Sequence, residues 1–100
     1  MWVRVATFEG GDTERLEQLT NERMSSGEMT PPQGMSSVLL LDDKDAGKRK
    51  FLAFFDSRDT LEAAEAAFDR QGDEIPEEIR GKRTHVAMYE VAMMQAPAMV

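Results

Sequence analysis

The sequence predicts an α+β domain of order strand, helix, hairpin, helix, strand, and three features carry that prediction. Val38-Leu39-Leu40-Leu41 and Phe51-Leu52-Ala53-Phe54-Phe55 are apolar runs separated by Asp42-Asp43-Lys44-Asp45-Ala46-Gly47-Lys48, a polar segment whose glycine suits a turn position of positive φ. Leu61, Ala64 and Phe68 then recur at helical spacing, so the hairpin feeds directly into an amphipathic helix. Asp12 and Gly27 bracket another helical segment upstream, behind an alternating run at the N-terminus. Two β-α-β units in tandem, each with a right-handed crossover, give a four-stranded antiparallel sheet with both helices on one face, the ferredoxin-like βαββαβ arrangement.

Each element has a local cause. From Trp2 to Phe8, Val3, Val5 and Thr7 alternate with Trp2, Arg4, Ala6 and Phe8, and Gly10-Gly11 ends the strand. Asp12 caps the first helix, Glu14 suits its positive end, and Gly27 stops it after Ser26. Its apolar stripe is thin, with Leu16, Leu19, Thr20 and Met24, so much of one core face is left to the second helix or to a subunit neighbour. Thr30-Pro31-Pro32-Gln33-Gly34 is a rigid connector into the second strand. The second helix is predicted from Ser57 to Gln71 with Gly72 closing it, and small Ala63, Ala64 and Ala67 beside Leu61 and Phe68 let it lie close to the sheet. Ile75-Pro76-Glu77-Glu78-Ile79 predicts a further helical turn with Pro76 at its first position. The last strand runs from Lys82 to Met93, with His85, Ala87, Tyr89 and Val91 on one face and Val86, Met88, Glu90 and Ala92 on the other. A single domain over residues 1–93 and a loose tail over 94–100 are expected.

Composition narrows the function classes. One hundred residues with 41% hydrophobic and 31% charged side chains fit one soluble globular domain. A net charge of -7 argues against nucleic acid, whose phosphates demand a basic face. Without cysteine there is neither a disulfide framework nor a thiolate site, and one histidine excludes a multi-histidine metal site. No apolar run reaches the length of a membrane span and none has the form of a secretory leader, so a cytoplasmic address is expected. Neither metal nor cofactor is expected.

The candidate site residues are few. His85 is the one imidazole available as a general acid or base, and Tyr89 lies on its face of the final strand; the simpler reading of His85 is a polar residue on an exposed strand. Tyr89 and Trp2 have the chemistry to stack on an aromatic ligand, although both suit interface packing better. Asp42, Asp43 and Asp45 lack the closing glutamate of a calcium loop and enclose Lys44, so they read as a solvated hairpin tip. Gly10-Gly11 lacks a phosphate-loop lysine, and Met88, Met93 and Met94 read as apolar fillers.

Arg4-Val5-Ala6-Thr7-Phe8-Glu9-Gly10, Pro32-Gln33-Gly34-Met35, Leu40-Leu41-Asp42 with Ala46-Gly47-Lys48, Phe55-Asp56-Ser57 and Tyr89-Glu90-Val91 together resemble the dimeric α/β-barrel proteins related to antibiotic biosynthesis monooxygenases, in particular their small bacterial members. The resemblance spans about Val3 to Ala92. It implies that two subunits close their open sheet faces into a barrel and that each holds a pocket between its sheet and its helices. Members that oxidise phenols or open haem resemble one another in using an asparagine, a tryptophan and sometimes a histidine on the pocket side. The second helix has no tryptophan or histidine, and Thr7 stands where the haem-degrading members carry asparagine, so haem degradation is not expected. Arg4, Thr7, His85 and Tyr89 remain as ligand-binding candidates, with His85 and Tyr89 as the catalytic ones. The expected function is a homodimeric domain binding a small aromatic or apolar molecule; the alternative is a cofactor-independent monooxygenase acting on phenols or quinols.

Overall fold

A computed structural model describes residues 1–95. In chain order the elements are β1 (Trp2–Glu9), α1 (Thr13–Ser26), β2 (Met35–Asp43), β3 (Lys48–Phe55), α2 (Arg58–Glu74), the single turn α3 (Glu77–Arg80) and β4 (Lys82–Glu90). The strands form one antiparallel sheet in the order β2-β3-β1-β4, the ferredoxin-like order, with the helices on one side. Asp12 accepts from the Arg15 amide at 3.1 Å, and Gly27 ends α1 in the left-handed region at φ 80°, which its missing Cβ permits.

Pairing of Trp2 with Phe55 and of Arg4 with Ala53 and Met88 sets which side chains share a face. The helix side carries Trp2, Arg4, Ala6 and Phe8 of β1 and Arg49, Phe51, Ala53 and Phe55 of β3. Ala53 and Phe55 meet Leu61 and Ala64 of α2 to make the buried core, with Trp2, Met35, Phe51, Phe68 and Met88 packed around it. Phe55 and Leu61 are fully buried, each stabilising the fold by roughly 1.5–3 kcal/mol through area removed from water. The opposite face aligns Val5, Thr7, Leu52, His85, Ala87 and Tyr89 with Leu39 and Leu41 of the edge strand.

A buried arginine ties the ends of several elements together. Arg49 donates through Nη2 to the carbonyls of Gly10 at 2.7 Å and Arg80 at 2.6 Å, and through Nη1 to Thr13 Oγ1 at 3.0 Å. Gly11 and Gly81 crowd this point at φ 84° and 85°, and a Cβ on either would meet Arg49 Nη2 and a neighbouring backbone within 2.9 Å. The start of α1 and the end of α3 are thereby fixed to β3.

Several predicted boundaries shift. α2 continues through Gly72 to Glu74; Ile75 ends it in an extended conformation, φ -103° and ψ 125°, because the following proline disfavours helical geometry there. Pro76 is the N-cap of α3, one position outside its helical turn, with its ψ of 140° still extended. Within α2, Leu61 and Ala64 are buried while Ala63 is exposed, and on α1 Met24 is exposed as well. β4 stops at Glu90, which pairs with Trp2 at the start of β1, and beyond it Val91 reaches back, donating its amide to the Met1 carbonyl at 2.9 Å. Met88 packs on the core as expected, whereas Met93 and Met94 are 75% and 61% exposed and fill nothing in this chain. Of the expected tail, 94–100, residues 96–100 lie outside the described residues.

Candidate functional site

The two helices treat the sheet differently. α2 presses Leu61 and Ala64 onto it, but α1 buries no residue at all. The sheet beneath α1 is therefore left uncovered, and a cavity of about 730 Å³ opens between the sheet, α1 and α2. That lies within the roughly 300–1,000 Å³ range of small-molecule sites. Phe8, Val38, Leu40 and Phe51 form its floor and Phe68 one wall, facing Leu16 and Thr20 of α1. Phe68 meets Phe51 and Phe55 edge to face, with centroids 6.3 and 6.0 Å apart, so the aromatic wall is held by packing on two sides.

Charge enters this apolar space at defined points. Arg4 is 2% exposed; its Nε donates to Glu65 Oε1 at 2.6 Å and its guanidinium lies 4.5 Å from the centre of the Phe68 ring. Nη2 of Arg4 is buried without a hydrogen-bond partner among the described residues, as is Nε of Arg49. Arg83 donates to Asp69 at 2.8 Å, and this hydrogen bond holds the Asp69 carboxyl below its ordinary range. Arg4, Arg49, Arg80, Lys82 and Arg83 line the cavity against Glu17, Asp69, Asp73 and Glu77, so a chain of net charge -7 lines this cavity with a slight excess of cations.

Of the residues singled out from sequence, Arg4 lines the cavity. Thr7, His85 and Tyr89 lie together on the opposite face of the sheet, where Thr7 pairs with His85 and Val3 with Tyr89. Thr7 Oγ1 accepts from Lys50 Nζ at 3.0 Å, and His85 and Tyr89 are exposed. The structure therefore brings three of the four together and sets Arg4 apart from them across the sheet. At the hairpin tip, Asp43 Oδ1 accepts from the Ala46 amide at 3.1 Å and closes the turn.

Arg49, Phe68, Asp69 and Arg83 were not singled out as site residues. The signal for Arg49 was present, since inward-facing Phe51, Ala53 and Phe55 place Arg49 inward by the same alternation, although it sits in the basic run Lys48-Arg49-Lys50. Arg83 had no such signal. A bulge in β4 changes the register between the Thr7–His85 and Phe8–Arg83 pairs, turning Arg83 to the helix side where it reaches Asp69.

No family model matches the sequence, and no curated protein matches it significantly. Solved structures do resemble it over nearly their whole length. A proposed antibiotic biosynthesis monooxygenase from Deinococcus radiodurans superposes with a TM-score of 0.63 at 13% identity, covering 98% of this chain and 99% of that one. The monooxygenase ActVA-Orf6 of Streptomyces coelicolor, solved with nanaomycin D, gives 0.63 at 13% identity over 97% and 92%. The chain has the fold of these proteins. A variant of MhuD, solved with two manganese protoporphyrin IX molecules per active site, gives 0.60 at 14% identity over 96% and 99%. At the level of fold, the resemblance read from the sequence to antibiotic biosynthesis monooxygenase-related proteins is borne out. Among the described residues, no helix is long and apolar enough to cross a membrane.

Proposed function

We propose that this protein binds a small planar, largely apolar molecule in the cavity between its sheet and α1, and that it works as a homodimer. The observation that carries the proposal is the cavity itself: an aromatic-lined space of about 730 Å³ over which α1 buries nothing. Two solved structures of the same fold hold planar ligands, a porphyrin and nanaomycin D, which supports the reading by analogy. The dimer proposal rests on the other face, where Leu39, Leu41 and Tyr89 are about half exposed. Two such faces closing on each other would bury on the order of 1,600 Å², the size of a specific interface. A cytoplasmic address and independence from metal and haem belong to the same proposal, from a chain with no cysteine and one histidine.

Thr20→Trp tests the cavity, because an indole at that position intrudes into the space under α1. Naphthalene and its neutral derivatives are expected to raise the melting temperature of the natural protein and to raise that of the variant by less. Shifts of amide resonances that cluster around His85 and Tyr89 instead of Leu16 and Phe51 would place the ligand on the wrong face. Light scattering at micromolar concentration is expected to give the mass of a dimer.

The second reading is cofactor-independent oxygenation of a phenol or quinol, favoured by the monooxygenases among the similar folds. It needs a proton acceptor inside the cavity. His85 stands on the opposite face, Asp69, held below its ordinary range by Arg83, is a weakened base, and the other acceptors lining the cavity, Glu17, Asp73 and Glu77, are carboxylates, a class weakly basic towards a phenol. Binding is therefore the better-supported function. Oxygen uptake with a panel of quinols, without added cofactor, would reverse that order.

A further inference from the structure

We propose that the cavity is built for an aromatic carboxylate and that Arg4 holds the carboxylate; this rests on reading the cavity as a ligand site. Arg4 lines the cavity while only 2% exposed, and its Nη2 is buried with no partner among the described residues. A buried, charged donor without an acceptor is costly, and most such groups in folded proteins are paired. Among the described residues, the one carboxylate on Arg4, that of Glu65, reaches Nε from the α2 side. A guanidinium is a rigid fork with five N–H groups, so a contact at Nε leaves the terminal nitrogens able to bind a second, planar acceptor.

The surroundings select the rest of the ligand. The guanidinium sits 4.5 Å from the centre of the Phe68 ring, and Phe68 and Phe51 stand edge to face. An aromatic ring joined to the carboxylate would continue this wall over Phe51 and Leu40, both of which line the cavity. A dianion such as a phosphate monoester fits poorly, because Glu65 touches Arg4 and Asp69 lies near enough to feel its charge. A neutral alcohol or phenol offers a single uncharged oxygen and so makes a weaker hydrogen bond to the guanidinium than a carboxylate does. A single ionised carboxylate supplies an acceptor and one negative charge.

The test uses 2-naphthoate and methyl 2-naphthoate, which share ring and shape and differ in charge, measured by calorimetry at neutral pH on the full chain. The acid is expected to bind at least about tenfold more tightly than the ester, the scale of one hydrogen bond to a charged group. Glu65→Gln removes the competing carboxylate from a half-buried position and is expected to tighten binding of the acid while leaving the ester unchanged. In the double variant Arg4→Met with Glu65→Met, which deletes both charges together, the preference should fall to about one. Equal affinity of acid and ester for the natural protein overturns the carboxylate assignment and leaves the cavity reading standing. Absence of binding by both overturns the two together. A preference that survives in the double variant removes Arg4 from the role. Should the double variant not fold, the natural protein and Glu65→Gln decide: a preference for the acid that Glu65→Gln does not increase counts against Arg4.

Discussion

The same sheet is covered by two helices in opposite ways. Under α2, Leu61 and Ala64 close onto Phe55 and Ala53 as one buried cluster, and Ser57 caps the helix by accepting from the Thr60 amide. Under α1, a 14-residue helix with a well-formed cap at each end buries none of its side chains. Good caps define where a helix starts and stops, but its distance from the sheet follows from the side chains beneath it. One half of the domain thus carries the packing energy, and the other is free to hold a ligand.

The largest effect that would break this comparison is expected from matched truncations. Leu61→Ala should lower the unfolding free energy by about 2–5 kcal/mol, as for a fully buried leucine, whereas Leu16→Ala on α1 should cost about 0.5 kcal/mol. Urea denaturation of both variants measures the contrast, and equal losses would mean that α1 packs as tightly as α2. Arg49→Met comes next. It removes the donor from the Gly10 and Arg80 carbonyls and should cost about 1–3 kcal/mol, with faster amide exchange concentrated in the first turn of α1 and around Gly81. Exchange that rises evenly over the whole molecule would deny Arg49 its role as the fastening of α1.

The smallest effect concerns Asp69 and Arg83. The carboxyl of Asp69 titrates below its ordinary value in the folded protein, first because Arg83 donates a hydrogen bond to it. Such a group adds stability above the ordinary carboxyl range, and the contribution disappears as the pH falls through the lowered value. The pair is exposed, so the change is small. Carbon-13 titration of Asp69 should show its midpoint moving up towards the ordinary value in Arg83→Gln; an unmoved midpoint would exclude Arg83 as the cause.

Much of the fold was legible in the sequence because its signals are local. Asp12 and Gly27 mark α1, Gly47 marks the hairpin with φ 66°, and alternation along β1 by itself separates Arg4 from Thr7. The end of α2 was misread because Gly72 is a plausible stop, while the operative signal was Pro76 acting on Ile75. The site was less legible for a different reason. Arg83 reaches the cavity side through a bulge that no residue type in β4 announces, and the cavity depends on how far α1 stands from strands distant in sequence. His85 and Tyr89 attracted attention for their chemistry, but the strand turns them away from the cavity.

The position of β2 has a consequence for the protein's behaviour at high concentration. It is an edge strand, and Val38, Leu39, Leu40 and Leu41 are 36–50% exposed along it, two towards the helix side and two towards the open face. Four consecutive apolar, strand-forming residues on an unpaired edge are a template for aggregation, since the backbone there can pair with a second chain. The residues that follow are Asp42, Asp43, Lys44 and Asp45, three carboxylates within four positions. Charges flanking a sticky strand act as gatekeepers by making stacked copies repel one another. Beyond reversing the chain, the acidic turn thus sets charges of the gatekeeper kind directly beside the leucine edge.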